Sequence, residues 1–159
     1  MFGLDYPVMS APMALHSGGT LAAAVSAAGG LGSFGGLHPA KGPDWIGSEI
    51  AIIRAATDKP FAVGFITPFI GFTTALFEAA LAERPAAVAF SFSDPGPFAA
   101  QTRAAGARLV CQVQDHEGAE LAVAAGADVL VAQGTEAGGH TGTMALLPFL
   151  AAVVTRYPD

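Results

Sequence analysis

A glycine-rich loop that contains one histidine carries the residues best suited to chemistry in this chain. Glycines stand at positions 134, 138, 139 and 142, and His140 lies among them. The backbone of such a loop can wrap closely around a ligand, and a neutral imidazole can take a proton from carbon or donate to an oxyanion. A flexible connection with an exposed histidine is the ordinary alternative. Because the loop directly follows an apolar run, we favour a ligand site with His140 as its catalytic residue.

Two glutamines and a proline-containing segment are expected at the same site. Gln112 and Gln133 each occupy the end of a predicted strand, where an amide is either solvated or paired with the donor and acceptor edge of a heterocycle. The first predicted strand ends in Ala11, Pro12 and Met13. These three residues form either an ordinary strand terminus or a flat ledge for a planar ring. Two amides on one rim favour a heterocyclic ligand.

The elements that position these residues alternate between strands and helices. Helices that end in glycine turn directly into apolar strands, and the sequence Ala-Ala-Gly-Ala repeats at 104–107 and 124–127. This pattern is typical of βα units with parallel strands. Strands are predicted at 8–11, 31–34, 61–66, 86–92, 108–113 and 129–132, the last of them buried. Helices are predicted at 21–28, 45–57, 72–83, 98–105 and 144–157. Ser17 or Thr20 is expected to cap the first of these helices, and His116 is assigned to the N-terminus of a further helix.

The length of the chain limits how much of a barrel it can hold. A closed (β/α)8 barrel of the TIM type takes about 250 residues, whereas this chain has 159. We therefore expect a single α/β domain over residues 1–159 that contains about the first six βα units of a TIM-type barrel.

Composition excludes several classes of function. The net charge is −6 and no basic cluster occurs, which argues against nucleic acid and against anionic membrane surfaces as partners. Cys111 is the only cysteine, and no ligand spacing supports a metal site. The chain has no dinucleotide-binding or P-loop glycine motif, which argues against those two nucleotide sites. It also has no signal peptide and no apolar stretch long enough to span a membrane, so we expect a cytoplasmic protein. Only 13% of its residues are charged, which predicts exposed apolar surface and self-association as a homo-oligomer.

The chain resembles the nitronate monooxygenases, also called 2-nitropropane dioxygenases. The resemblance rests on Ser10–Met13, Leu21–Gly32, Phe90–Phe92, Cys111–Val113 and, above all, Gln133–Gly142. It implies an FMN-dependent TIM barrel that oxidises alkyl nitronates with O2 to a carbonyl compound and nitrite. The flavin would carry the redox chemistry, and the protein would supply position and electrostatics.

The resemblance also implies roles for individual residues. Ala11, Pro12 and Met13 would back the isoalloxazine ring, Gln133 would contact the flavin, and Gly138 and Gly139 would approach it by backbone. His140 would be the base or hydrogen-bond donor beside the nitro group of the substrate.

The chain departs from the family pattern at two positions and in its length. Gly64 stands where many members have asparagine, and Cys111 stands where some have histidine. The family holds the FMN phosphate in the loops after strands seven and eight, which we expect beyond residue 159. Two alternatives stay open: a flavin-dependent enoyl-thioester reductase, whose loop also contains Gly-Gly-His, and an incomplete segment that binds flavin weakly without turnover.

Overall fold

The computed structural model describes residues 1–158, which form a parallel sheet alternating with helices. The five strands pair in sequence order, β1-β2-β3-β4-β5, and every pairing is parallel. This confirms the predicted α/β alternation. In chain order the elements are α1 (Gly19–Ala27), β1 (Gly32–Gly35), α2 (Pro43–Ala56), β2 (Phe61–Ile66), a 3-10 helix (Thr67–Phe72), α3 (Thr74–Ala82), β3 (Ala87–Ser91), α4 (Gly96–Ala104), β4 (Arg108–Val113), α5 (His116–Ala124), β5 (Val129–Ala132) and α6 (Leu146–Arg156).

The strand predicted at 8–11 is reduced to a single parallel bridge. Met9 pairs with Leu31, whose N–H donates to the carbonyl of Val8 over 2.8 Å. The prediction of a full strand is therefore wrong in extent. Pro7 and Pro12 flank the segment, and neither has an N–H group with which to extend a ladder. The segment still lies beside β1, so six chain segments follow one another around the sheet.

Helix α1 is capped by a side chain from another helix. Its first N–H, that of Gly19, donates to a carboxylate oxygen of Glu49 in α2 over 2.6 Å. The other oxygen of Glu49 accepts from the indole N–H of Trp45 over 2.8 Å. The prediction of Ser17 or Thr20 as the cap is wrong because this long-range carboxylate already satisfies the helix end. By contrast, α5 begins at His116 as predicted.

The two faces of the sheet carry side chains of different size. The face toward the helices is filled by large residues, whereas the opposite, inner face carries mainly alanine. Buried side chains on the helix face include Phe34, Val63, Phe65, Val88, Phe90 and Leu109. Those on the inner face are Leu31, Ala62, Ala87, Ala89 and Val110. The inner face therefore leaves space beside the sheet.

Strand β5 is only half-buried, so the prediction of a buried strand at 129–132 is wrong. Val131 is 41% exposed. Among the described residues, β5 is the last strand of the sheet, with β4 as its single neighbour. Its inner face also borders open space. Because β5 pairs with a strand on one side only and its inner face is open, its side chains are less buried than their apolar sequence suggests.

Candidate functional site

A cavity of about 410 Å³ lies at the carboxyl ends of the strands, on the inner face of the sheet. This is the edge at which parallel α/β sheets place their ligands. Most of its walls are apolar. Its polar side chains are those of Ser91, Gln112 and Gln133 at the ends of β3, β4 and β5, together with Ser10 and Glu136. The lining residues are Met9, Ser10, Ala11, Pro12, Ala89, Ser91, Val110, Gln112, Val131, Ala132, Gln133, Gly134, Glu136, Ala137 and Leu146.

Both glutamines predicted for the site line this cavity, and each has its carbonyl oxygen engaged. The hydroxyl of Ser91 donates to Oε1 of Gln112 over 2.8 Å. The side-chain amide of Gln114 donates to Oε1 of Gln133 over 2.6 Å. Among residues 1–158, neither amino group has a hydrogen-bond partner, so the glutamines have N–H donors left for a ligand.

Ala11 and Pro12 form part of the opposite wall, and Pro12 lies directly on Gly64 of β2. A Cβ atom built on Gly64 would lie 2.2 Å from Cβ of Pro12. The proline ring therefore occupies the space that a side chain at position 64 would need. Met13, predicted for the same ledge, is 44% exposed and does not line the cavity.

The glycine-rich loop lies beside the cavity with its central residues facing solvent. Gly138, Gly139 and His140 are exposed and do not line the cavity. The backbone carbonyl of His140 accepts from the side-chain amide of Gln114 over 3.0 Å. The imidazole ring of His140 meets the ring of Phe92 edge-on, with centroids 6.2 Å apart. The structure thus brings Ala11, Pro12, Gln112 and Gln133 together and leaves the histidine on an adjacent loop.

Glu136 closes the base of this loop, a role that the sequence did not indicate. Its two carboxylate oxygens accept from the N–H of Leu146, the first residue of α6, over 2.9 and 3.1 Å. Hydrogen bonds from its own backbone N–H and from that of Leu146 lower the pKa of Glu136 below its ordinary value. The carboxylate fills a position where a helix N-terminus would otherwise attract an anion. Ten residues separate the two partners, far more than the spacing of a capping box, so no local signal was present.

Cys111 lies on the helix face of β4, away from the cavity. The residue is 2% exposed, and burial raises the pKa of its thiol to about 12, with the charge of Asp128 adding to the rise. The thiol is therefore protonated and unreactive near neutral pH. No group of three His, Cys, Asp or Glu side chains within residues 1–158 could hold a metal ion. In the same part of the chain, no helix is both long and apolar enough to cross a membrane.

Comparison with known proteins gives a consistent family assignment. The family model described as nitronate monooxygenase matches residues 1–69 and 66–155. A nitronate monooxygenase from Pseudomonas aeruginosa is 34% identical, over 96% of this chain and 57% of its own length. The chain spans about half the length of the curated relatives it matches.

Solved structures confirm the TIM-barrel type of fold, over about half of each known chain. FabK from Thermotoga maritima superposes with a TM-score of 0.87 at 31% identity, covering 97% of this chain and 49% of that chain. A nitroalkane oxidase from Streptomyces ansochromogenes superposes with a TM-score of 0.78 at 29% identity, covering 96% of this chain and 56% of that chain. On the family match and the identity to its relatives, the chain belongs to the nitronate monooxygenase family.

Proposed function

We propose that this chain forms the flavin-binding part of an FMN-dependent oxidoreductase that oxidises alkyl nitronates with O2 to a carbonyl compound and nitrite. The observation that carries the proposal is the cavity in which Ala11, Pro12, Gln112 and Gln133 meet. Family membership supports the same conclusion.

The cavity suits the ring system of FMN in both shape and polarity. Isoalloxazine is planar, with an apolar benzenoid end and a polar edge rich in nitrogen and oxygen acceptors. Ala11 and Pro12 offer a flat apolar ledge, and Gln112 and Gln133 offer amide donors for those acceptors. When bound, the flavin supplies the redox chemistry, while the cavity orients it and keeps water from one face.

The phosphate of FMN needs a site other than the N-terminus of α6. The carboxylate of Glu136 already accepts from the N–H of Leu146 at that helix end. A second anion there would meet like charge. We therefore assign only the ring end of the cofactor to residues of this chain.

His140 is proposed as the group that handles the substrate's proton or its nitro oxygens, and Gly138 and Gly139 as the backbone that approaches the flavin. The loop that holds them borders the cavity through Gly134, Glu136 and Ala137. Within residues 1–158, the exposed imidazole meets a single aromatic ring, that of Phe92, so it can turn toward a ligand at small cost. A neutral imidazole in that place could remove a proton from the carbon next to a nitro group.

Cofactor binding is tested first by the visible spectrum of the purified protein after gel filtration, with and without added FMN. We expect a flavin band that co-elutes with the protein at about one flavin per chain. A colourless protein that takes up no FMN would contradict the proposal and favour an incomplete segment.

Turnover is then tested with a neutral nitroalkane, whose carbon next to the nitro group still carries its proton, and with the corresponding nitronate, which has already lost it, by measuring O2 uptake and nitrite release. With the nitroalkane, His140→Asn is expected to lower turnover by about 10²–10⁴-fold, the usual contribution of a general base, while FMN still binds. His116→Asn is the matched control, because His116 packs on Phe149 in the helix layer. Unchanged turnover in His140→Asn would remove His140 from the mechanism. Flavin reduction driven by NADH would instead favour the enoyl-thioester reductase.

A further inference from the structure

Gln114, just after β4, connects the two parts of the candidate site. Its side-chain nitrogen donates to Oε1 of Gln133 over 2.6 Å and to the backbone carbonyl of His140 over 3.0 Å. A primary amide has two N–H groups, so this nitrogen is fully used. One half-buried side chain therefore joins the cavity wall to the glycine-rich loop.

The loop also rests on the same residue by direct packing. A Cβ atom built on Gly142 would lie 2.9 Å from Cβ of Gln114 and 3.3 Å from the backbone carbonyl oxygen of Gln114. Such close approach requires glycine at this end of the loop. The loop is thus held against Gln114 at two points, His140 and Gly142.

The bond to Gln133 has a chemical consequence for the cavity. Because Oε1 of Gln133 accepts from Gln114, its amide is held with the carbonyl on that side. The amino group then remains as the hydrogen-bonding group for a ligand, and it has no partner within residues 1–158. In the structure Oε1 of Gln112 likewise accepts a hydrogen bond, from the hydroxyl of Ser91. The rim of the cavity therefore presents donors to ligand acceptors.

We propose that Gln114 is a positioning residue, which orients the amide of Gln133 toward acceptor atoms of the ligand and holds the His140 loop beside the cavity. The part of the proposal that concerns FMN rests on the proposed function. The part that concerns the loop can be tested on the protein without any ligand.

The loop is tested by amide hydrogen exchange of Thr135 and Ala137 in the ligand-free protein, because their N–H groups donate to the carbonyls of Met144 and Gly134 over 2.9 and 3.1 Å and are therefore protected. Gln114→Met keeps the length of the side chain and removes both donors. Two hydrogen bonds contribute enough that exchange of the loop amides should rise by about tenfold or more, while amides within β4 are unchanged. Gln101→Ala, on the exposed surface of α4, is the control and should leave the loop unchanged. Equal loop exchange in Gln114→Met and Gln101→Ala would overturn the proposal.

The orientation of the amide is tested by replacing the donor with an acceptor. Gln114→Glu has nearly the same shape, but its carboxylate only accepts hydrogen bonds. The amide of Gln133 must then turn to donate to Glu, which would present its oxygen to the cavity. We expect the Kd for FMN, measured by quenching of flavin fluorescence, to rise by about tenfold or more over wild type and further than in Gln114→Met.

The outcomes separate this proposal from the proposed function. Equal FMN affinity in Gln114→Glu and Gln114→Met would overturn the role of Gln114 in orienting Gln133. Failure of the wild-type chain to bind FMN would contradict the proposed function, and loop exchange would then decide the role of Gln114 alone. Faster exchange of the loop amides in Gln114→Met, with the amides of β4 still protected, would support the role of Gln114 whether or not the chain binds FMN.

Discussion

The contact between Gly64 and Pro12 gives the most direct test of how the cavity wall is built. Replacing Gly64 by alanine adds one methyl group to the inner face of β2, at a backbone conformation that alanine tolerates. That methyl carbon would lie 2.2 Å from Cβ and 2.3 Å from Cγ of Pro12, whereas ordinary contact begins at 3.4 Å. The two residues must therefore separate by about 1.2 Å. Pro12 has little freedom to do so, because its ring fixes the backbone between the Met9 bridge and the loop that follows.

The cost of this substitution should be that of overpacking a well-filled site, about 1–3 kcal/mol in the free energy of unfolding. The measurement is a urea titration of wild type and Gly64→Ala, with equal m-values as the sign that only stability has changed. Gly47→Ala in α2 is the matched control, because no atom lies within 4 Å of a Cβ atom built there. A helical glycine in open space should gain up to about 1 kcal/mol on the same change.

A double variant identifies the source of the cost. Pro12→Gly removes both ring atoms that the new methyl group meets, so Gly64→Ala should be less costly on that background. The two changes should couple by about 0.5–3 kcal/mol in a double-mutant cycle. A Gly64→Ala variant as stable as Gly47→Ala, or a cost that is the same with and without Pro12, would show that the proline ring does not restrict position 64. Because the displaced proline forms the proposed ledge for the flavin ring, FMN affinity should fall in Gly64→Ala as well.

Two further predictions concern carboxylates that satisfy backbone N–H groups. Asp128 accepts from the N–H of Leu109 over 2.8 Å and from the guanidinium of Arg108 over 2.7 Å. Asp128→Ala should therefore lower the free energy of unfolding, measured by urea titration, by about 1.5–3 kcal/mol, and Asp128→Asn, which keeps one acceptor, should lower it by less. Equal losses in the two variants would contradict a role for the negative charge. The pKa of Glu136 is lowered in the folded state from 4.5, so its carboxylate stabilises the fold fully above that pH and the contribution is lost as the pH falls through the folded pKa. The stability difference between wild type and Glu136→Gln should therefore be largest near pH 7 and shrink toward pH 3 in urea titrations, and a difference that does not change with pH would refute the assignment.

The βα repeat was predictable from the sequence because the glycines that end its helices act only on neighbouring residues. Gly29, Gly106 and Gly126 each follow a helix and have φ values of 94°, 81° and 78°. Glycine adopts this left-handed conformation without strain, and the chain then turns straight into the next strand. Each such turn depends on a few consecutive residues, so the order of helices and strands follows from the sequence alone.

The features that the sequence did not reveal depend on partners far apart in the chain. The cap of α1 comes from Glu49, and the cap of α6 comes from Glu136, ten residues upstream of Leu146. Neither has the spacing of a local capping motif. The placement of His140 belongs to the same class, because Gln114 holds its backbone from another βα unit. Sequence patterns therefore located the residues of the site, and tertiary contacts decided which of them line the cavity.

The alternation of side-chain size along the central strands explains why a cavity exists at all. Both faces of a parallel strand are buried, so β2 and β3 show an almost continuous apolar run with no change in polarity. Their size alternates instead: Ala62, Gly64 and Ala89 face inward, whereas Phe65 and Phe90 fill the space beneath the helices. The large side chains build the core beneath the helices. On the inner face, Ala89 lines the cavity, whereas Gly64 makes room for Pro12, which forms part of the cavity wall. In this chain, a period of two in side-chain volume at constant hydrophobicity thus distinguishes the core face of the sheet from the face that borders the cavity, and the polar residues at the strand ends indicate what that cavity can bind.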